Sequence, residues 1–227
     1  MELCDASILY LYIPAMSFQP VFGFLFCLMF SLAACKPDSR DKPGALPKTE
    51  AAERKPLRKI NRVRLNEKAA ALKAYAKNND YNTHYALLID FSLFSGAKRL
   101  VLYDLQKEKI VSTGLVAHGQ GSNYLTEDVP FSNVEGSLCS SKGRYKIGAK
   151  YYGRFGWAYK LHGLNPTNNN AYNRFVVLHS HACVPNYENE TGICRSDGCP
   201  TLNPAYFEEI QRVLDKEKRP VLLEIYK

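Results

Sequence analysis

Residues 174–203 read RFVVLHSHACVPNYENETGICRSDGCPTLN. The first seven, Arg174 to Ser180, form a strongly β-prone run that ends in a histidine. A short apolar run of this kind predicts a strand. A loop containing Gly192 follows. Ser196-Asp197-Gly198-Cys199-Pro200 then predicts a tight turn. Behind it, Pro204–Lys216 predicts an amphipathic helix with Tyr206, Phe207, Ile210, Val213 and Leu214 apolar. One strand therefore delivers His179-Ser180, and one turn, just before a helix, delivers Cys199.

Outward from this segment the pattern is mostly strands. His84–Phe91 (HYALLIDF) and Arg99–Leu105 (RLVLYDL) are compact apolar runs separated by the turn-like Ser95-Gly96-Ala97. Lys109–His118 predicts a third strand. Gly143–Tyr152 and Trp157–Leu161 predict further short ones, and Val221–Tyr226 closes the chain. One more helix is expected from an N-cap at Asn66 through NEKAAALKAYAKNND, with Leu72, Tyr75 and Ala76 on one face. Asn78-Asn79-Asp80 stops it. There is no internal repeat. The expected fold class is mainly β, a sandwich or barrel with a few short helices.

The chain has 227 residues, 46% hydrophobic and 23% charged, fractions that exclude wholesale disorder and a multi-span membrane protein. Residues 1–35 hold no Lys or Arg, and Glu2 and Asp5 are their only acids. The apolar run Val21–Leu32 is about 18 Å long as a helix, too short for a hydrocarbon core about 30 Å thick. It fits the apolar region of a signal peptide better. At its end, Leu32-Ala33-Ala34-Cys35 resembles the bacterial lipobox, which implies cleavage before Cys35 and lipidation of its thiol. The N-terminal region carries no positive charge, so Met16 is an alternative start. Residues 36–65 are basic, contain Pro and have few large apolar side chains, which predicts a flexible tether. The expected organisation is a signal peptide over 1–35, a tether over 36–65 and a folded domain over 66–227. The expected address is the bacterial cell envelope, lipid-anchored to a membrane. Without residues 1–35, 30 basic residues face 20 acidic ones, a charge of +10. That charge suits an anionic cell wall, and no nucleic-acid motif accompanies it.

The chemistry lies in the opening stretch. A nucleophilic cysteine needs an imidazole to take its proton and backbone N–H groups for the oxyanion. Gly198 lets the backbone turn sharply before Cys199. A helix N-terminus close behind would depress the thiol pKa. His179 lies twenty residues earlier, on a strand that can neighbour the turn.

Val176-Val177-Leu178-His179-Ser180 and Ser196-Asp197-Gly198-Cys199 resemble the signature of the YkuD-type L,D-transpeptidase catalytic domain, in its second, lipoprotein-rich branch. Upstream blocks extend the resemblance over about residues 66–227. They include Ile89-Asp90-Phe91-Ser92, Arg99–Leu105, Val116–Ser122, Phe131-Ser132-Asn133, Leu161–Asn165 and Asn170–Arg174. The resemblance implies Cys199 as nucleophile, His179 as general base and the Ser180 carbonyl as the group that orients the imidazole. It implies the N–H groups of Gly198 and Cys199 as oxyanion donors. The implied reaction is peptide exchange on peptidoglycan stem peptides through a cysteine acyl-enzyme, with no metal or cofactor. A monomer is expected, though the sequence does not fix the oligomeric state. Hydrolysis at the same site, as an L,D-carboxypeptidase, is one alternative. A non-catalytic peptidoglycan-binding lipoprotein is the other.

Asp197 departs from the larger YkuD group, which usually has His there. Its charge would oppose a thiolate unless it is paired, and Arg195 and Arg174 are the candidate partners. His181, two residues from His179, is a second candidate base or substrate contact. His118 is a candidate cleft residue or a turn-stabilising one. Cys183 and Cys194 bracket the loop between His179 and Cys199. In an oxidising compartment they could form a disulfide worth about 2–3 kcal/mol. Zinc is the rival reading of these cysteines and histidines, but their spacing matches no closed Cys/His pattern.

Overall fold

The computed structural model describes residues 57–122 and 128–227. The expected signal peptide, Cys35 and the tether as far as residue 56 lie outside the described residues. Strands β1 (Tyr85–Asp90), β2 (Leu100–Asp104), β3 (Lys109–Gly114) and β4 (Val116–Ala117) come first. They are followed by β5 (Gly143–Gly153), β6 (Gly156–Gly163), β7 (Val177–Ser180), β8 (Thr201–Leu202) and β9 (Leu222–Tyr226). Helix α1 (Arg62–Asn78) precedes them, and α2 (Pro204–Leu214) joins β8 to β9.

The strands form one sheet in the order β3-β2-β1-β9-β5-β6-β7-β8-β4. β1 with β9 and β7 with β8 are parallel pairs; the other neighbours are antiparallel. β3 and β4 occupy opposite ends of this order, yet only Leu115 separates them in the chain. The sheet must therefore curl until its ends nearly meet, giving a nearly closed barrel.

Alternation sorts the side chains. Leu87 and Ile89 of β1 enter the inner core with Leu102, Tyr145, Leu161 and Leu178. Ala86 and Leu88 face outward and pack under Leu65, Ala69, Leu72 and Ala76 of α1. Full burial of each such Leu is worth about 1.5–3 kcal/mol. Phe207, Ile210 and Leu214 of α2 join the inner core, and Asn203 caps this helix by accepting from the Ala205 N–H at 2.9 Å.

Three expectations change. The first helix starts at Arg62, capped by Asn61, whose side chain accepts from the Arg64 N–H at 3.1 Å. Asn66 lies inside the helix and accepts from the Tyr103 hydroxyl. Residues 62–65 thus leave the expected tether, because Leu65 is the first rung of the buried stripe. The third predicted strand is divided into β3 and β4. The run from Arg174 pairs only from Val177, because Phe175 adopts φ 56°, a left-handed conformation that interrupts the extended chain.

Candidate active site

β7 lies between β6 and β8, with His179 opposite Ala158 on one side and Thr201 on the other. Its Leu178 faces the core, so Val177 and His179 share the opposite face. The turn before β8 is tied to the chain around Gly119. Ser196 N–H donates to the His118 carbonyl at 2.9 Å, and Gln120 N–H donates to the Ser196 carbonyl at 2.8 Å. Ser140 Oγ, which accepts from the Gly119 N–H, donates to the Gly198 carbonyl at 3.1 Å. Gly198 has φ 120°, and a Cβ there would lie 2.8 Å from the Cys139 carbonyl oxygen. No other residue fits that position without moving backbone.

Cys199 is a free, partly exposed thiol. Its sulfur accepts the Val177 N–H at 3.4 Å and lies 3.8 Å from the Phe175 carbonyl oxygen. The left-handed turn at Phe175 aims that carbonyl. Ser196 Oγ donates to the Cys199 carbonyl at 2.6 Å and accepts the Gly198 N–H at 3.3 Å. The Gly198 N–H, one of the two expected oxyanion donors, is thus engaged within the turn.

His179 is 4% exposed. Its Nδ1 lies 3.1 Å from the Ser180 carbonyl oxygen. A carbonyl only accepts, so Nδ1 carries the proton and the Nε2 lone pair is the basic site. Thr201 Oγ1 meets Nε2 at 3.0 Å and donates to it. Phe155, between the ends of β5 and β6, stacks on the ring at 4.5 Å and 24°. The sulfur hydrogen-bonds to the 175–177 backbone and not to the imidazole. Such contacts often tighten only when substrate binds.

Two residues of strand, β8, separate Cys199 from α2, so the expected help from a helix N-terminus is absent. Burial pushes the Cys199 thiol above its ordinary value; the Val177 N–H opposes this, Asp197 adds to it and Arg174 opposes it. Burial also pushes His179 below the usual imidazole value, against the Ser180 carbonyl, with a smaller lowering from His181. Both shifts disfavour the charged forms, a thiolate and an imidazolium.

The remaining candidates disperse. Asp197 Oδ1 accepts from Gln120 Nε2 at 2.7 Å, and neither expected arginine supplies its hydrogen bond. Arg174 instead donates to the carbonyls of Ser132 and Cys139 and the hydroxyls of Ser137 and Ser141, clamping that segment beside Gly198. Arg195 reaches His118, its Nη1 lying 2.6 Å from Nε2. His118 does not line a cleft. It is 1% exposed, and its Nδ1 accepts from the fully buried Arg99 at 2.7 Å. Burial, then Arg99 and Arg195, push its pKa down to about 2. His181 lies just past the end of β7, exposed, and its Nδ1 accepts the Cys183 N–H. Cys183 and Cys194 are joined in a disulfide and offer no thiolates to a metal.

Thr201 and Phe155 touch the imidazole but did not emerge from the sequence. Thr201 is two residues past Cys199, where a two-residue strand gives no periodic signal. Phe155 had one signal: a large apolar side chain between Gly153 and Gly156, at a hairpin tip where polar residues prevail.

The L,D-transpeptidase catalytic domain model YkuD_2 matches residues 57–222. No curated protein matches the sequence. Solved structures that align with the chain include a mutant Enterococcus faecium L,D-transpeptidase at 9% identity and TM-score 0.39, covering 63% of this chain and 50% of that one. A Stackebrandtia nassauensis L,D-transpeptidase aligns at 14% identity and TM-score 0.36, over 74% of this chain and 68% of that one. A Mycobacterium tuberculosis L,D-transpeptidase aligns at 9% identity and TM-score 0.34, over 63% and 58%. The chain spans half the length of the Enterococcus protein.

Proposed function

The chain belongs to the YkuD_2 family of L,D-transpeptidase catalytic domains, and from that premise we propose that it is a cysteine L,D-transpeptidase acting on peptidoglycan stem peptides. One observation carries the reading. The parallel pair β7–β8 holds a buried histidine, with Nδ1–H on the Ser180 carbonyl, beside the turn that presents a free cysteine. A carbonyl in that place fixes the tautomer that leaves Nε2 basic, the role a carboxylate fills in a serine triad.

Burial disfavours a thiolate–imidazolium pair before substrate arrives. As the Cys199 sulfur attacks the donor carbonyl, His179 Nε2 takes the thiol proton. With the Gly198 N–H held by Ser196 Oγ, the Cys199 N–H is the donor left for the developing oxyanion. The C–N bond to the terminal residue then breaks, His179 returns its proton to the leaving amine, and a thioester remains. An acceptor amine gives a proton to His179, attacks the thioester carbonyl and releases the thiol. Water in the acceptor's place gives carboxypeptidase activity. The Val21–Cys35 segment supports an envelope address with a lipid anchor, which belongs to the same proposal.

The test is intact mass after incubation with a carbapenem, for the wild type, Cys199→Ala and His179→Ala. A single adduct is expected on the wild type, absent in Cys199→Ala and slowed in His179→Ala. Muropeptide products then separate transfer from hydrolysis. A folded, reduced wild type that takes no adduct overturns the enzyme reading in favour of a wall-binding protein.

A further inference from the structure

The face of β6 and β7 that carries the base also carries a lysine. Tyr159 and Leu161 of β6 point into the core, so Ala158 and Lys160 share the other side with His179 and Val177. Lys160 pairs directly with Val177, whose N–H meets the Cys199 sulfur. Tyr151 stands opposite Ala158 on the neighbouring strand. These residues border a groove of about 310 Å3 lined by Tyr151, Lys160, Tyr172, Phe175, Val176 and Val177.

Lys160 has an unusual setting. Its ammonium lies 5.1 Å from the Tyr172 ring centre and 5.8 Å from that of Tyr151. Its hydrogen bond goes to the Tyr172 hydroxyl at 3.4 Å. Among the described residues no carboxylate pairs with it; Asp215, just past the end of α2, is held by Lys150 and the Tyr159 hydroxyl. His162, next along the same face, stacks on Tyr172, and burial and the adjacent lysines push it towards the neutral form. The groove therefore offers aromatic walls and one ammonium group, with no protein anion.

We propose that this groove seats the acyl-donor peptide and that Lys160 pairs with a free carboxylate on the side chain of the residue that becomes joined to Cys199. The proposal rests on the transpeptidase reading and names the substrate form that the site selects. Paired strands lie about 5 Å apart, and each residue of extended peptide spans about 3.3–3.6 Å. An ammonium group one strand away from the sulfur's contact residue is within reach of the donor residue itself. Tyr151 and Tyr172 flank the aliphatic part of that side chain. A donor whose carboxylate is converted to a carboxamide loses the ion pair.

The test uses two donor peptides that differ only in carboxylate against carboxamide on that side chain, with the full chain and its Lys160→Met and Lys160→Arg variants. Thioester formation is followed by intact mass. The wild type should favour the carboxylate form by about tenfold in kcat/KM, chiefly through KM, the range of one charge-assisted hydrogen bond. Lys160→Met should erase the preference while melting within a few degrees of the wild type, and Lys160→Arg should keep most of it. Equal rates for the two peptides in the wild type, or an unchanged preference in Lys160→Met, overturn the proposal while leaving the enzyme reading in place. If neither a peptide nor a carbapenem acylates the wild type, the enzyme reading falls and this proposal falls with it.

Discussion

Two buried histidines flank the turn that carries Cys199, and they are built for opposite purposes. His118 sits beside two guanidinium groups, with Arg99 donating to its Nδ1 and Arg195 against Nε2. His179 has a carbonyl on Nδ1, a hydroxyl on Nε2 and an aromatic ring on its face. Both are almost fully excluded from water, and burial pushes both below the ordinary imidazole value. Only the partners differ. Burial and two guanidinium neighbours disfavour a second proton on His118, whereas His179 keeps a basic lone pair that a hydroxyl can yield to substrate. Burial alone does not make a catalytic base; the hydrogen-bond partners decide.

The comparison breaks first at the chemistry. Replacing His179 by Ala should slow Cys199 acylation by about 10²–10⁴-fold, the range for a lost general base. Replacing His118 by Gln, which keeps an acceptor for Arg99, should leave the rate within about threefold. A comparable loss in a folded His118→Gln protein contradicts the division of roles. The same two variants should part again in stability against pH. His118 stays neutral down to about pH 2 in the folded chain, but titrates near 6.5 when unfolded. Between those values the unfolded state binds more protons, so stability falls as pH drops below about 6.5, by at most about 1.4 kcal/mol per unit. His179 adds to this with the same sign. Urea unfolding at pH 7 and pH 5 should show a clear loss in the wild type, about 2 kcal/mol smaller in His118→Gln. An unchanged difference means that His118 is not held neutral.

The same partners explain what the sequence could reveal. The barrel was legible because its long strands are apolar runs: HYALLIDF and RLVLYDL became β1 and β2 almost to the residue. His179, Ser180 and Cys199 were legible because a strand end and a glycine turn mark them locally. The cause of the thiol's pKa was not. Pro204 begins a helix as expected, but β8 intervenes, and no run of two residues announces itself as a strand. His118 carries the same side chain as His179 and also sits near glycines. Its fate is set by Arg99, 19 positions away, and Arg195, 77 positions away. Asp197 was read as needing an arginine and found an amide from Gln120 instead. Contacts that close across the sheet order leave no trace in local spacing.

Thr201 sharpens the comparison at one atom. Its hydroxyl donates to the His179 lone pair and so favours the neutral ring. Thr201→Val should lower the acylation rate by up to about tenfold, one hydrogen bond's worth, and move the acid limb of the pH–rate profile upward. Thr201→Ser should restore both. A Val variant with an unshifted limb would show the hydroxyl serving the Cys199 carbonyl, which lies 3.3 Å from it, rather than the imidazole.

The smallest expected effect is at Phe155. The β5–β6 hairpin pairs Gly153 with Gly156, so Arg154 and Phe155 form a two-residue tip. Phe155 is 44% exposed, far from a settled core position, yet its ring stacks on His179. An apolar ring in that place removes water from the imidazole, and desolvation is the main reason His179 is pushed down. Phe155→Ala should therefore raise the acid limb of kcat/KM by a few tenths of a pH unit, within the scale of such environmental shifts. It should also raise the fraction of thioester lost to water rather than to amine, because the acyl group is less shielded. Phe155→Trp, which preserves a flat apolar cover, should do neither. Measuring the limb and the hydrolysis-to-transfer ratio in one preparation separates the two roles. A shifted limb with an unchanged ratio makes Phe155 a tuner of the base alone. A changed ratio with a fixed limb makes it a water shield that leaves the base untouched.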